Sequence, residues 1–64
     1  MPVDSYGFIQ IIAKKGSVTL EKYKNVLYPH DVIYCIKKDG KFDISFERYL
    51  VALDYYTWEL QKNA

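Results

Sequence analysis

The chain has few of the residues that form disulfides, bind metals or catalyse reactions in small proteins. It contains one cysteine, Cys35, and one histidine, His30, among 64 residues. With one cysteine, no intramolecular disulfide can form. With one cysteine and one histidine in total, a zinc site built from cysteine and histidine ligands is excluded. A glycine-rich phosphate-binding loop is also missing. We therefore expect no metal, no cofactor, no small-molecule substrate and no enzymatic activity, with Cys35 an inert core thiol.

Long apolar runs and a signal sequence are absent as well. No stretch approaches the ~20 apolar residues needed to cross a membrane. The first residues, Met1-Pro2-Val3-Asp4, lack the basic and apolar segments of a secretory leader. The unpaired Cys35 fits a reducing compartment. We expect a cytoplasmic protein that does not associate with membranes.

Apolar and aromatic residues are abundant for so short a chain. Half of the residues are hydrophobic and 17% are aromatic, including seven tyrosines. Sixty-four residues can form one hydrophobic core, so residues 1–64 are expected to be a single domain or one protomer of an assembly. Tyrosine is enriched at protein interfaces. The tyrosines therefore indicate either an interaction surface, with a homodimer expected, or the filling of a shallow core.

The chain contains an internal repeat, which divides it into units at about residues 8–28 and 32–62. A shift of 24 residues superimposes the first parts of the two units. A shift of 26 places residues 18–23 on residues 44–49, with chemically similar residues at every position. Each unit predicts a strand, a turn, a short returning segment and a helix, which is a ββα arrangement.

The first strand of each unit is predicted from short β-branched and aromatic runs at residues 8–13 and 32–36. Both runs are apolar on both sides, which predicts that both strands are central in the sheet. Asp39-Gly40 is a strong hairpin signal, because these residues readily adopt the positive φ angles of tight turns. Gly16 marks the weaker counterpart in the first unit.

Helices are predicted after the returning segments, with Thr19 and Ser45 as candidate N-caps. The first, over residues 20–27, is short, and an extended conformation of residues 17–23 is the alternative. The second, from residue 46 to about residue 61, is supported by apolar residues at helical spacing and by the absence of helix breakers.

The second helix offers the clearest functional signal. Its apolar stripe centres near Leu53 and Leu60, which places Val51, Tyr55 and Trp58 on the opposite side, toward water. Aromatic and aliphatic residues at such spacing are typical of a helix that docks into a groove or onto a second helix. The alternative is a central helix, in which these side chains are buried in the same protomer.

Charge is unevenly distributed along the chain. Residues 14–41 carry seven lysines against three acidic residues, whereas residues 42–64 carry a net charge of −2. Five of the lysines flank the two predicted turns: Lys14, Lys15, Lys37, Lys38 and Lys41. A positive rim of this kind can hold a phosphate backbone, with tyrosines stacking on bases. The simpler interpretation is solubilising charge at turns and strand edges.

The sequence thus predicts an α+β domain: a small antiparallel sheet from two ββα units, with the long C-terminal helix packed on the sheet. The favoured function is a non-enzymatic protein-protein interaction module, a regulator or inhibitor, whose composition suits a phage or mobile element. It is expected to bind a protein partner or itself through Val51, Tyr55 and Trp58. The alternative is a nucleic-acid-binding protein that uses the five turn lysines and the tyrosines.

Overall fold

The chain folds as four consecutive antiparallel strands followed by one helix. The computed structural model describes residues 5–62. Its elements are β1 (Tyr6–Lys15), β2 (Val18–Asn25), β3 (Val32–Lys38), β4 (Lys41–Phe46) and α1 (Tyr49–Lys62). The strands pair in chain order, β1-β2-β3-β4. The predicted α+β class is confirmed, as is the packing of the long C-terminal helix on the sheet. The internal repeat stays a prediction.

The two hairpin turns lie side by side at one end of the sheet. Asp39 and Gly40 have φ angles of 55° and 78°, so both central residues of the β3–β4 turn are left-handed, as a two-residue type I′ turn requires. Gly16 has a φ of 61° in the β1–β2 turn. The backbone N–H of Asp39 donates to the carbonyl of Ser17 at 2.8 Å, which joins the two turns.

The predicted first helix over residues 20–27 is wrong, and the extended alternative is right. Residues 18–25 form β2, which pairs with β1 on one side and β3 on the other. Thr19 therefore lies within a strand and caps no helix. Two neighbouring strands satisfy the backbone of β2 more completely than an isolated two-turn helix could, and Leu20 becomes fully buried beneath α1.

The long helix begins later than predicted. Ser45 and Phe46 are the last residues of β4, and Ser45 pairs with Cys35 across the sheet. Ser45 is therefore a strand residue and not the N-cap, and α1 begins at Tyr49. The pairing with β3 keeps Phe46, where the helical apolar pattern begins, in the strand, and Glu47 and Arg48 form a bend before the helix.

The prediction of two central strands is right for β3 and wrong for β1. The sheet follows chain order, so β1 is an edge strand although its sequence is apolar on both sides. Phe8 and Ile11 are consequently about half exposed, at 55% and 51%. A strand with two apolar sides needs cover on both, and α1 covers one face of the sheet.

The core lies between α1 and the face of the sheet that it covers. Its buried hydrophobic residues come from β2, β3 and α1: Val18, Leu20, Ile36, Ala52 and Tyr56. The inward side of α1 is thus centred on Ala52 and Tyr56, together with Glu59, and not near Leu53 and Leu60 as predicted. Leu53 and Leu60 are half-buried at the border of the core, and Leu50 is 70% exposed.

A buried ion pair accompanies this orientation of the helix. Glu59 is 2% exposed, and its carboxylate lies 3.0 Å from the Lys38 ammonium at the end of β3. A carboxylate can remain inside the fold only when it is paired or hydrogen-bonded. Lys38 is the cation that pairs with Glu59. Glu59 can therefore be buried, although the apolar pattern of the helix predicts that this position faces solvent. Ala52, at the same side of α1, lets the helix approach the sheet closely.

Within residues 5–62, no helix combines the length and apolar character that crossing a lipid bilayer demands.

We expect Lys38→Met to lower the melting temperature by several degrees, because it removes the cation facing the buried Glu59 carboxylate. The hydrogen bond to Glu59 raises the pKa of Lys38 above its ordinary value of 10.5, so the pair is intact at pH 7 and weakens only as pH rises through that raised pKa. The matched control is Lys41→Met, which changes the exposed cross-strand neighbour of Lys38. Equal melting temperatures for the two variants, measured by circular dichroism at pH 7, would contradict this account.

Candidate functional site

Val51, Tyr55 and Trp58 lie together along the side of α1 that faces the edge strand β4; we call them the helix flank. Val51 is 45% exposed and Trp58 is 50% exposed, whereas Tyr55 is half-buried. The expected exposure to solvent is therefore found for Val51 and Trp58, and the partner-binding role of the three residues stays a prediction. Tyr55 does not point away from the core: it packs at the border of the core.

Tyr55 anchors the helix flank to β4. Its ring centroid lies 5.5 Å from that of Phe46 and 5.6 Å from that of Trp58. Its hydroxyl donates to the Asp43 carboxylate at 3.1 Å. Loss of solvent around the phenol, followed by the hydrogen bond to Asp43, raises the pKa of Tyr55 to about 12. Tyr55 thus acts as a support that fixes the position of Trp58.

Trp58 is held between an aromatic ring and a cation. One neighbour is Tyr55, and the other is Lys62, whose ammonium lies 5.0 Å from the tryptophan ring centroid. Contacts of both kinds restrict the rotamers of an otherwise exposed indole. The helix flank therefore presents half of a large apolar ring to solvent in an ordered arrangement.

The lysines of the alternative hypothesis fall into two groups. Lys37 pairs with Glu21 at 3.1 Å, and Lys38 pairs with Glu59 at 3.0 Å. Lys14, Lys15 and Lys41 are exposed beside the two adjacent turns, as the sequence suggested. The positive charge at this end of the sheet is thus reduced by the carboxylates of Glu21 and Glu59, whose positions the sequence did not predict.

Sequence reasoning missed a second surface, the open sheet face, which is the side of the sheet turned away from α1. The strand registers place apolar and aromatic residues of all four strands on it. They are Phe8, Ile11, Tyr23, Ile33, Cys35 and Phe42. Phe42 is 52% exposed, much like Phe8 and Ile11. The sequence contained a signal for this surface: the β1 segment is apolar on both sides, whereas the chain has one long helix, which can cover only one face of a sheet.

A groove runs along the open sheet face over β3 and β4 and also reaches Tyr6 of β1. Its volume is about 420 Å³, and its lining residues include Ile33, Cys35, Phe42 and Ser45. Cys35 is 2% exposed, and burial, with the nearby Glu21 charge, raises the pKa of its thiol. The thiol is therefore protonated at neutral pH, which suits a packing role more than a nucleophilic one.

A third apolar surface is the loop between β2 and β3. Val26, Leu27 and Tyr28 are 63%, 76% and 66% exposed. The loop is nevertheless ordered, because the side-chain carbonyl of the buried Asn25 accepts hydrogen bonds from the backbone N–H groups of Leu27 and Tyr28 at 2.8 and 3.1 Å. His30 is exposed in the same loop. The sequence assigned Leu27 to a helix and so did not predict this feature.

Comparisons with known proteins found no matching family model, no matching curated protein and no matching solved structure. In the part of the chain that the structure describes, no three His, Cys, Asp or Glu side chains are grouped so that they could hold a metal ion.

We expect Asp43→Asn to lower the pKa of Tyr55 from about 12, because it replaces the charged acceptor of the phenol. The raised pKa means that the neutral phenol favours the folded state, so this contribution is present below pH 10 and declines between pH 10 and 12. The measurement is a pH titration of tyrosine ring carbons by NMR. Asp31→Asn is the control: it replaces the charged acceptor of Tyr6 with a neutral one and should lower the raised pKa of Tyr6 alone. An unchanged Tyr55 titration in Asp43→Asn would contradict the assigned contact.

Proposed function

We propose that this chain is a small, non-enzymatic protein-binding module of the cytoplasm that regulates or inhibits a larger protein by docking through its helix flank. The single observation that carries the proposal is the half-exposed Trp58, fixed between Tyr55 and Lys62. Tryptophan and tyrosine dominate the binding energy of many interfaces, because a large ring buries much area with few torsions to restrict. A ring that is already ordered loses less entropy on binding.

The charges around the helix flank indicate the chemistry of the partner. Arg48 is exposed immediately before α1, and Lys62 is the last residue of α1. The two cations lie about 20 Å apart at opposite ends of the flank, given a rise of ~1.5 Å per residue. The exposed Asp54 lies between these cations on α1, and Asp43 accepts the Tyr55 hydroxyl, so a complementary partner presents an apolar groove with acidic residues near both ends and a basic residue near its centre.

The proposal involves no chemical step on the part of this chain. Cys35, its one thiol, is buried and has a raised pKa. His30, its one imidazole, lies exposed in the β2–β3 loop, outside the sheet that holds Cys35. Binding through an ordered apolar surface requires neither group.

Nucleic-acid binding is the second candidate, favoured by the contact between the two turns. The Asp39–Ser17 hydrogen bond brings Lys14, Lys15 and Lys41 to one end of the molecule. Phosphate binding depends steeply on salt because counterions are released. Binding to mixed DNA or RNA at 50 mM salt that disappears by 200 mM, and that the triple change of these lysines to glutamine abolishes, would favour this candidate over the helix flank.

We expect Trp58→Ala to weaken binding of the protein partner by about 30-fold or more, the effect of losing a central aromatic anchor. The matched control is Leu50→Ala, on the same helix and 70% exposed but away from the flank, with an expected change below about threefold. Candidate partners are captured with the wild-type protein and with each variant as bait. They are ranked by how strongly their capture decreases with Trp58→Ala while it is retained with Leu50→Ala. The leading partner is then purified and titrated calorimetrically.

Circular dichroism melts of both variants verify that the fold is retained. Equal affinity of the purified partner for wild type and Trp58→Ala would refute docking through the helix flank.

A further inference from the structure

We infer that the open sheet face packs against the same face of a second copy, giving a twofold-symmetric dimer in which two sheets form the centre and the two α1 helices lie outside. This dimer concerns a different surface from the helix flank and stands or falls separately from the proposed function.

The first argument is the imbalance between the core and the exposed apolar surface. Among residues 5–62, five hydrophobic residues form the buried core, whereas eleven large hydrophobic side chains are exposed. A core in a domain below about 70–80 residues rarely supplies more than roughly 3–5 kcal/mol by itself. An antiparallel sheet normally keeps its uncovered face polar. Here that face carries Phe8, Ile11 and Phe42, each more than half exposed, so it is suited to being covered.

The second argument is the charge at the centre of the face. Glu21 of β2 and Lys37 of β3 are paired there at 3.1 Å, and the Tyr23 hydroxyl donates to the Glu21 carboxylate at 2.8 Å. In a twofold-symmetric dimer the same surface of both copies meets, so that surface must be complementary to itself. A surface with one positive and one negative charge beside the twofold axis meets this requirement. With the axis between the sheets and parallel to the strands, Glu21 of each copy lies opposite Cys35 of the other, two residues along β3 from Lys37, so the neutral pairs of the two copies meet near the axis.

The same pair disfavours other occupants of the face. A nucleic acid would bring phosphates against Glu21, which is already 9% exposed and largely removed from water. A second copy brings no net charge there, because it carries the same internal pair of Glu21 and Lys37. The centre of the face has no net charge, so two copies do not repel each other there.

The shape of the face also fits a second copy. The groove lies mainly over β3 and β4, with Tyr6 of β1 also in its lining, and the exposed side chains of Phe8 and Ile11 project on the β1 side. The same twofold axis sets β1 of one copy over β4 of the other. Phe8 and Ile11 of each copy then face the groove beside Phe42 of the other copy.

The size of the face meets the requirement for a specific dimer. Four strands at a spacing of ~4.8 Å, each about seven residues long at ~3.3 Å per residue, cover roughly 20 × 23 Å. Packing two such faces buries about 1,000 Å² over both copies, which is near the lower bound for a biological interface. We therefore expect a dimer whose population depends on concentration in the micromolar range.

The first experiment is light scattering after size exclusion at 5 to 500 µM protein. Wild type should approach twice the 7.6 kDa chain mass at high concentration. Ile11→Lys, which changes a residue of the open sheet face, should remain at the mass of one chain. The control is Leu50→Lys, which also replaces an exposed aliphatic residue with lysine but on the outer side of α1, and it should dimerise like wild type. A wild type that stays monomeric at 500 µM, or a dimer lost in Leu50→Lys and kept in Ile11→Lys, overturns the inference.

The second experiment does not depend on inserting a charge into an apolar patch. Glu21→Lys and Lys37→Glu each place charges of one sign on the face, so each alone should be monomeric. Mixed in equal amounts they are complementary, and a heterodimer of about twice the chain mass should form. A mixture that stays monomeric, or single variants that dimerise as wild type does, overturns the inference.

Trp58→Ala separates this inference from the proposed function. It should leave the dimer intact, because Trp58 lies on α1, away from the open sheet face. Dimer loss in Trp58→Ala would place self-association on the helix flank and overturn the sheet-face dimer. Retained dimerisation with lost partner binding supports both surfaces, and retained dimerisation with retained partner binding removes only the helix-flank proposal.

Discussion

The structure depends on one constraint, which is that a single helix has to cover a four-stranded sheet. A sheet has two faces, and α1 packs on one of them through Ala52 and Tyr56. The core is therefore small, and the apolar residues on the other face, such as Phe8 and Phe42, remain half exposed. A larger domain would add a second layer; this chain leaves a surface that a second molecule can cover.

The ion pair between Lys38 and Glu59 lies on the side of the helix that faces the sheet. With Glu59 buried against Lys38, α1 is turned so that Leu50 faces solvent and Leu53 lies at the border of the core. The same rotation brings Tyr55 against Phe46 on β4 and leaves Trp58 half exposed beside it. The orientation of α1 on the sheet thus decides which residues form the candidate binding surface along the helix.

The two proposed surfaces are compatible in one assembly. The open sheet face and α1 are on opposite sides of the sheet, so a dimer formed through the sheet faces carries both helix flanks on its exterior. Two identical flanks can engage a partner that is itself symmetric or repeated. Binding at the second site is then intramolecular and raises the overall affinity without any new contact.

The sequence by itself determined the features that depend on neighbours along the chain. Asp39-Gly40 specified its turn through backbone preference, and residues 49–62 specified a helix through spacing and the lack of breakers. Only the tertiary structure decided that residues 18–25 are a strand, because that conformation is stabilised by hydrogen bonds to β1 and β3. It also decided the rotation of α1 and the uncovered face of the sheet, since burial is set by partners distant in sequence, which local periodicity cannot identify.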